Sequence, residues 1–181
     1  MKKIISCLLI SICCLFTACN TTTPEKYFDT AVLNANMIAD FGGEGLQREL
    51  ESPSVKLVEG TKDQTEPMKR KEVVDDKTQY IESSYEKVKK LKQTDETKSM
   101  IQASLNLYEY VLPVYKNEYI QLAKLYDNKA PTEQIQSLEQ SIYDKYFQKF
   151  SELYDNLMKE GKSYAQKNNI NVNWDIHTTP Q

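Results

Sequence analysis

After position 19 the chain contains no cysteine, and its 181 residues include one histidine, His177, one tryptophan, Trp174, and five glycines. Each scarcity closes a class of chemistry. A body without thiols has no disulfide to staple it and no cysteine nucleophile, so packing must hold it together. One histidine near the C-terminus can activate no serine in a folded core, and no G-x-S-x-G elbow is present. Nor can it supply the two Glu-x-x-His motifs that build carboxylate metal centres inside helical bundles. Phosphate cradles are missing too: Gly42-Gly43-Glu44-Gly45 lacks the lysine and spacing they need, and its glutamate repels phosphate. The expectation is a protein that is not an enzyme, with no catalytic residues and no cofactor. An all-carboxylate metal site from Glu109, Glu118, Glu139 and Glu152 is conceivable, but exposed helix glutamates ordinarily serve solvation, so no metal site is expected.

Charge of one sign is also in short supply. Lysine and arginine number 23 against 26 aspartates and glutamates. The mixture forms no basic footprint for nucleic acid and no polybasic patch for anionic lipid. The one candidate, "PMKRKEVVDDK", is diluted by Glu72, Asp75 and Asp76.

Long apolar runs are absent except at the start. Ile4 to Phe16 is a run of about 13 residues, short of the ~20 that cross a bilayer. Lys2 and Lys3 precede it, Thr17 and Ala18 follow, and polar Asn20 to Thr23 come behind. That order is a secretory signal. Cleavage before Cys19 would leave 163 of the 181 residues, with 21 basic (23 less Lys2 and Lys3) against 26 acidic, a net charge of −5. Cys19 would then be the one thiol of an exported chain, without a disulfide partner, and lipidation gives it a purpose. A plain secreted protein cut nearby is the alternative. "FTAC" resembles the lipobox of bacterial lipoproteins, with Phe16 where leucine is commonest. The resemblance implies a diacylglyceryl group on the Cys19 sulfur and an acyl chain on its amine. Two or more chains anchor stably, at ~0.8 kcal/mol per buried methylene. Asn20, rather than an acidic residue, is compatible with delivery to the outer membrane of a two-membrane bacterium.

The body repeats its apolar residues at three and four, the helical period. Four helices are expected. The first starts at the Thr23 cap and Pro24, with a stripe of Phe28, Ala31, Val32, Ala35, Ile38 and Ala39. Leu46 and Leu50 fall on the same stripe, which favours a helix continuing through Gly42 to about Glu51 over one ending near Phe41. The second covers roughly Glu66 to Lys92 along Val74, Thr78, Ile81, Tyr85 and Val88, with its other faces charged. The third begins at a Thr94 cap and runs along Ile101, Leu105, Tyr108, Leu112, Tyr115, Tyr119, Leu122 and Tyr126, with a kink at Pro113. The fourth runs from Pro131 to Asn168, with Tyr143, Phe147, Tyr154 and Met158 beside the main stripe. Short connections make an all-α, antiparallel, up-down-up-down four-helix bundle the expected fold. Residues 1–18 are then a lipoprotein signal peptide, 19–23 the lipidated tether, 24–168 the bundle and 169–181 an extended tail, with Trp174 plugging a groove.

Tyrosine is the one excess: 12 in all, nine of them in the last two helices. Most are expected to rim the core, ring inside and hydroxyl outside. Tyr110 falls off the stripe and is expected to be exposed. With Tyr119 and Tyr126 it is the candidate for contact with a ligand or partner, since tyrosine is favoured on recognition surfaces. With its lipobox, a "KKLK" end to the second helix and "LYEYVLPVYKNEYIQLAKL" in the third, the chain resembles a group of small helical bacterial surface lipoproteins of no established function. Its Gly42–Gly45 cluster departs from that group's uninterrupted first helix. The expectation is a membrane-anchored, non-enzymatic binding or structural module of the cell envelope, of unknown specificity, held by the lipid on Cys19, with a protein partner in the envelope. The alternative is a carrier or sensor of a small ligand or metal in a tyrosine- and carboxylate-lined groove.

Overall fold

The computed structural model describes residues 22–174; Cys19, the segment before it and His177 lie outside that range. The described residues are mostly helical (71%), with five helical rods packed together and one small hairpin.

Helix α1 (Pro24–Ala31) starts as its sequence dictates. Thr23 Oγ1 accepts a hydrogen bond from Lys26 N at 3.3 Å, and Pro24 occupies a first-turn position that needs no N–H. The expected continuation to Glu51 does not form. After Ala31 the chain tightens into a 3-10 turn (Leu33–Ile38), bends at Gly42 with φ +75°, and resumes as α2 (Glu44–Glu51). Gly42 supplies a left-handed residue at no steric cost, and Asp40 locks the break. Its carbonyl accepts from Gly43 N at 2.9 Å, and its carboxyl lies so close to Gly45 that a Cβ there would fall 1.7 Å from Oδ2. The stripe is buried regardless of the break: Phe28, Val32, Ile38, Leu46 and Leu50 are all at 1% exposure or less.

The link to the next helix is a hairpin rather than a plain loop. Strands β1 (Val55–Leu57) and β2 (Thr65–Pro67) pair antiparallel, Lys56 opposite Glu66. Lys56 Nζ reaches Glu72 at 2.6 Å and pins the hairpin to α3 (Arg70–Lys89), while Val55 and Leu57 face outward. Because Thr65 to Pro67 are spent on β2, α3 begins later than the expected Glu66. Its first N–H groups find a cap from far along the chain: Asp127 accepts from Arg70 N at 2.9 Å and Lys71 N at 3.1 Å.

Helix α4 (Lys98–Val114), a π turn (Tyr115–Tyr119) and α5 (Ile120–Asp127) form one rod. The expected Thr94 cap falls one turn early: the N-cap is Thr97, and Thr94 closes the turn before it, its hydroxyl accepting from Thr97 N at 3.3 Å while the Thr97 hydroxyl accepts from Thr94 N at 2.9 Å. Pro113 stands on the exposed face and does not end the helix; the next turn widens to π geometry, and both Tyr115 and Tyr119 are buried. Helix α6 (Thr132–Lys167) runs unbroken for 36 residues, ~54 Å at 1.5 Å per residue. It ends where expected, with Asn169 at φ 54°.

Cross-links fix the directions. Asp127, Lys116 and Glu109 meet Arg70, Glu82 and Tyr85 respectively, so the α4–α5 rod runs antiparallel to α3. Tyr126, Glu118 and Glu96 meet Glu139, Tyr146 and Asn168, so α6 runs antiparallel to that rod in turn. Asn36 bonds Tyr154, and Val32 and Phe28 pack on Gly161, which sets α1 against the C-terminal half of α6. The molecule therefore has two poles. One holds the start of α1, the α3–α4 link, the end of α6 and Trp174, whose ring meets Phe28 edge-on at 5.8 Å. The other holds the hairpin and the α5–α6 turn.

Candidate functional site

The three tyrosines expected to make contacts are spread along one rod, and each hydroxyl is already engaged within the fold. Tyr110 is half-buried rather than exposed, because α6 lies over it; its hydroxyl donates to Tyr146 O at 3.2 Å. Tyr119 is 3% exposed, lies edge-on to Phe41, and its hydroxyl accepts from Gly42 N at 2.8 Å. Burial holds its phenol above the ordinary range, against the opposing pull of the Gly42 N–H. Tyr126 donates to Glu139 Oε1 at 2.8 Å, and burial together with that carboxylate raises its pKa as well. Tyr115, next to Tyr119, is fully buried, and its hydroxyl has no hydrogen-bond partner among the described residues.

The four glutamates weighed as ligands do not converge. Glu109 accepts from Tyr85, Glu118 from Tyr146, Glu139 from Tyr126, and Glu152 pairs with Lys149. Among the described residues no group of three or more histidine, cysteine, aspartate or glutamate side chains could hold a metal ion. Nor is any described helix long and apolar enough to cross a membrane.

A concavity does exist, elsewhere. Between the Gly42 turn with α2 on one side and the first third of α6 on the other lies an open groove of about 630 Å³, within the ~300–1,000 Å³ range of small-ligand sites. Gln47 stands on the α2 wall; Gln136, Gln140 and Tyr143 line the α6 wall. Tyr143 is 43% exposed and stacks face to face on Phe147, with centroids 4.6 Å apart and planes 16° apart. Phe147 is held in turn by the Gly42 backbone, where a Cβ would meet its ring at 3.2 Å. The left-handed glycine thus lets the chain close on Phe147, and Phe147 braces the exposed tyrosine.

The sequence stripe puts Tyr143 and Phe147 together as flanking apolar residues; the structure turns Tyr143 outward. Its displacement by one position from Ile142, which is 2% exposed, was the available signal. The approach of the Gly42 turn had none in the local pattern. Glu139 lines the same groove, and burial raises its carboxyl pKa, as does the charge of Glu51, against the bond from Tyr126. No family model, curated protein or solved structure matches the chain.

Proposed function

We propose that the protein is a lipid-anchored, non-enzymatic binding or structural module of the cell envelope, tied to the outer membrane of a two-membrane bacterium through Cys19. The observation that carries this reading is the order of the first residues: two lysines, an apolar run too short to span, and a cysteine after Thr17-Ala18. The position of α1 supports a definite orientation. Helical structure begins at Pro24, so Asn20 to Thr23 are the whole tether, reaching ~14 Å at most. The pole bearing the α1 start and Trp174 then rests against the bilayer. The hairpin and the groove face away, toward a protein partner or ligand. In this reading the rods are an up-down-up-down four-helix bundle whose first member is broken at Gly42, kin to the small helical surface lipoproteins it resembles.

Mass spectrometry of the N-terminal peptide of the native protein tests the anchor. The expected peptide begins at Cys19 and carries acyl chains on sulfur and amine; an unmodified thiol, or a start at another residue, overturns it. The second reading, a carrier or sensor of a small ligand, draws on the groove at Tyr143. A carrier melts higher with its ligand by linkage, whereas a structural module responds only to protein partners.

A further inference from the structure

We propose that the groove between α2 and α6 binds a neutral, hydroxyl-rich ligand, an uncharged oligosaccharide, with one sugar ring stacked on the free face of Tyr143. The proposal rests on the binding-module reading and specifies its ligand class.

Three features carry it. The first is the platform. An exposed aromatic ring backed by a second, nearly parallel ring is rigid on one face and open on the other, and Tyr143 on Phe147 has that form. A large aromatic face that is already immobilised contributes contact area at little entropic cost. The second is the supply of hydrogen bonds. The Gln47 and Gln136 amides and the Ser137 hydroxyl line the groove and bond no other described residue. The Gln140 amide donates to Asp144 at 2.7 Å, which leaves its carbonyl oxygen as an acceptor. Amides and hydroxyls both donate and accept, as sugar hydroxyls do. Along α6, Gln136, Gln140 and Tyr143 lie on one helical face. Glu133 to Tyr143 spans ~15 Å, length enough for a short linear ligand rather than a single small group.

The third feature is charge. Among the described residues no lysine or arginine lines the groove, so the only charges an anionic ligand would meet there are carboxylates. Those carboxylates do not call for a cation either, because each has another role. Glu44 and Glu133 sit in the first turns of α2 and α6, where the helix dipole favours them, and Glu44 also pairs with Arg48 at 3.8 Å. Glu139 is occupied by the Tyr126 hydroxyl. What remains available is aromatic surface and neutral polar groups.

Titrating the full-length chain with neutral trisaccharides of glucose, galactose and N-acetylglucosamine, read by backbone amide NMR shifts at millimolar concentration, tests the proposal. At least one is expected to move the amides of Gln47, Gln136, Gln140 and Tyr143. Tyr143→Ala should weaken that binding by about tenfold, while Tyr143→Phe retains it, and circular dichroism should show both variants folded. Absence of groove shifts with all three sugars overturns the proposal, as does binding that survives Tyr143→Ala unchanged. Shifts there with spermidine or a sulfated trisaccharide but none with the neutral sugars do so too. Such a result leaves the anchored-module reading standing, because the acylation of Cys19 is read separately by mass.

Discussion

The segment Pro24–Glu51 and helix α6 carry the same signal, an apolar stripe at a spacing of three and four, yet fold it differently. One breaks into a helix, a 3-10 turn, a left-handed glycine and a second helix; the other runs 36 residues without interruption. In both, the stripe is buried. Periodicity therefore reports which residues face the core, and it does not report whether the backbone between them is continuous. Continuity is decided by what lies between the stripe positions. In α6 those residues include no proline and a single glycine, Gly161, which sits where α1 packs against it. In the first segment the glycines sit where Asp40 folds back over the start of α2. A glycine inside a helix can mean close packing or an ending, and only its neighbours in space distinguish the two.

The largest expected effect comes from filling Gly161, where the two regions touch. A Cβ there would lie 2.9 Å from Val32 Cγ2 and 3.0 Å from Cγ1, and Val32, β-branched and 1% exposed, has no free rotamer to yield with. Gly161→Leu should destabilise by about 3 kcal/mol through overpacking, despite the better helix propensity of leucine. Urea denaturation measures it. Pairing Gly161→Leu with Val32→Ala should return part of the loss, and no recovery would place the clash elsewhere.

Gly42 sharpens the comparison through the sign of its effect. In a continuous helix, Gly42→Ala would stabilise by ~1 kcal/mol. At φ +75°, with Phe147 only 3.2 Å from the new Cβ, it should instead destabilise by about 1–2 kcal/mol. A raised denaturation midpoint would restore the unbroken helix. Because Gly42 braces Phe147, the variant should also loosen the Tyr143 platform.

The element ends were readable because capping is local. Thr23, Thr94, Pro131 and Asn168–Asn169 act within a turn or so of their own positions, and each stands near a helix end. The core stripes were readable because burial follows period. The break at Gly42 and the hairpin were not, since both depend on contacts formed in three dimensions. Glu72 holds Lys56, Asp127 caps α3, and the Tyr119 hydroxyl reaches Gly42 from 77 residues away. The same holds for the site. Tyr110, Tyr119 and Tyr126 are singled out by the sequence as contact residues, but their hydroxyls are used by partners inside the fold that no window around them contains. Tyr143 became exposed because α2 and the Gly42 turn cover one side of its helix and stop short of the other.

The smallest expected effect ties the two regions by charge. Glu139 on α6 faces Tyr126 and feels Glu51, the last residue of the broken segment. Burial first, and then the charge of Glu51, hold its carboxyl above the ordinary value of 4.5, against the bond from Tyr126. The folded state therefore keeps the proton more readily than the unfolded chain. That contribution is fully present below pH 4.5 and is lost as pH rises through the higher folded value. At neutral pH the charged carboxylate is thus a small burden, and Glu139→Gln removes it while keeping an acceptor for Tyr126. With the side chain only half-buried, the gain at pH 7 should be on the order of a few tenths of a kcal/mol. It should shrink to nothing once both states of the parent are protonated. Paired thermal melts across acid to neutral pH check this; a difference that does not close at low pH would show that Glu139 is not strained by its charge, and that Glu51 and α6 are electrostatically independent.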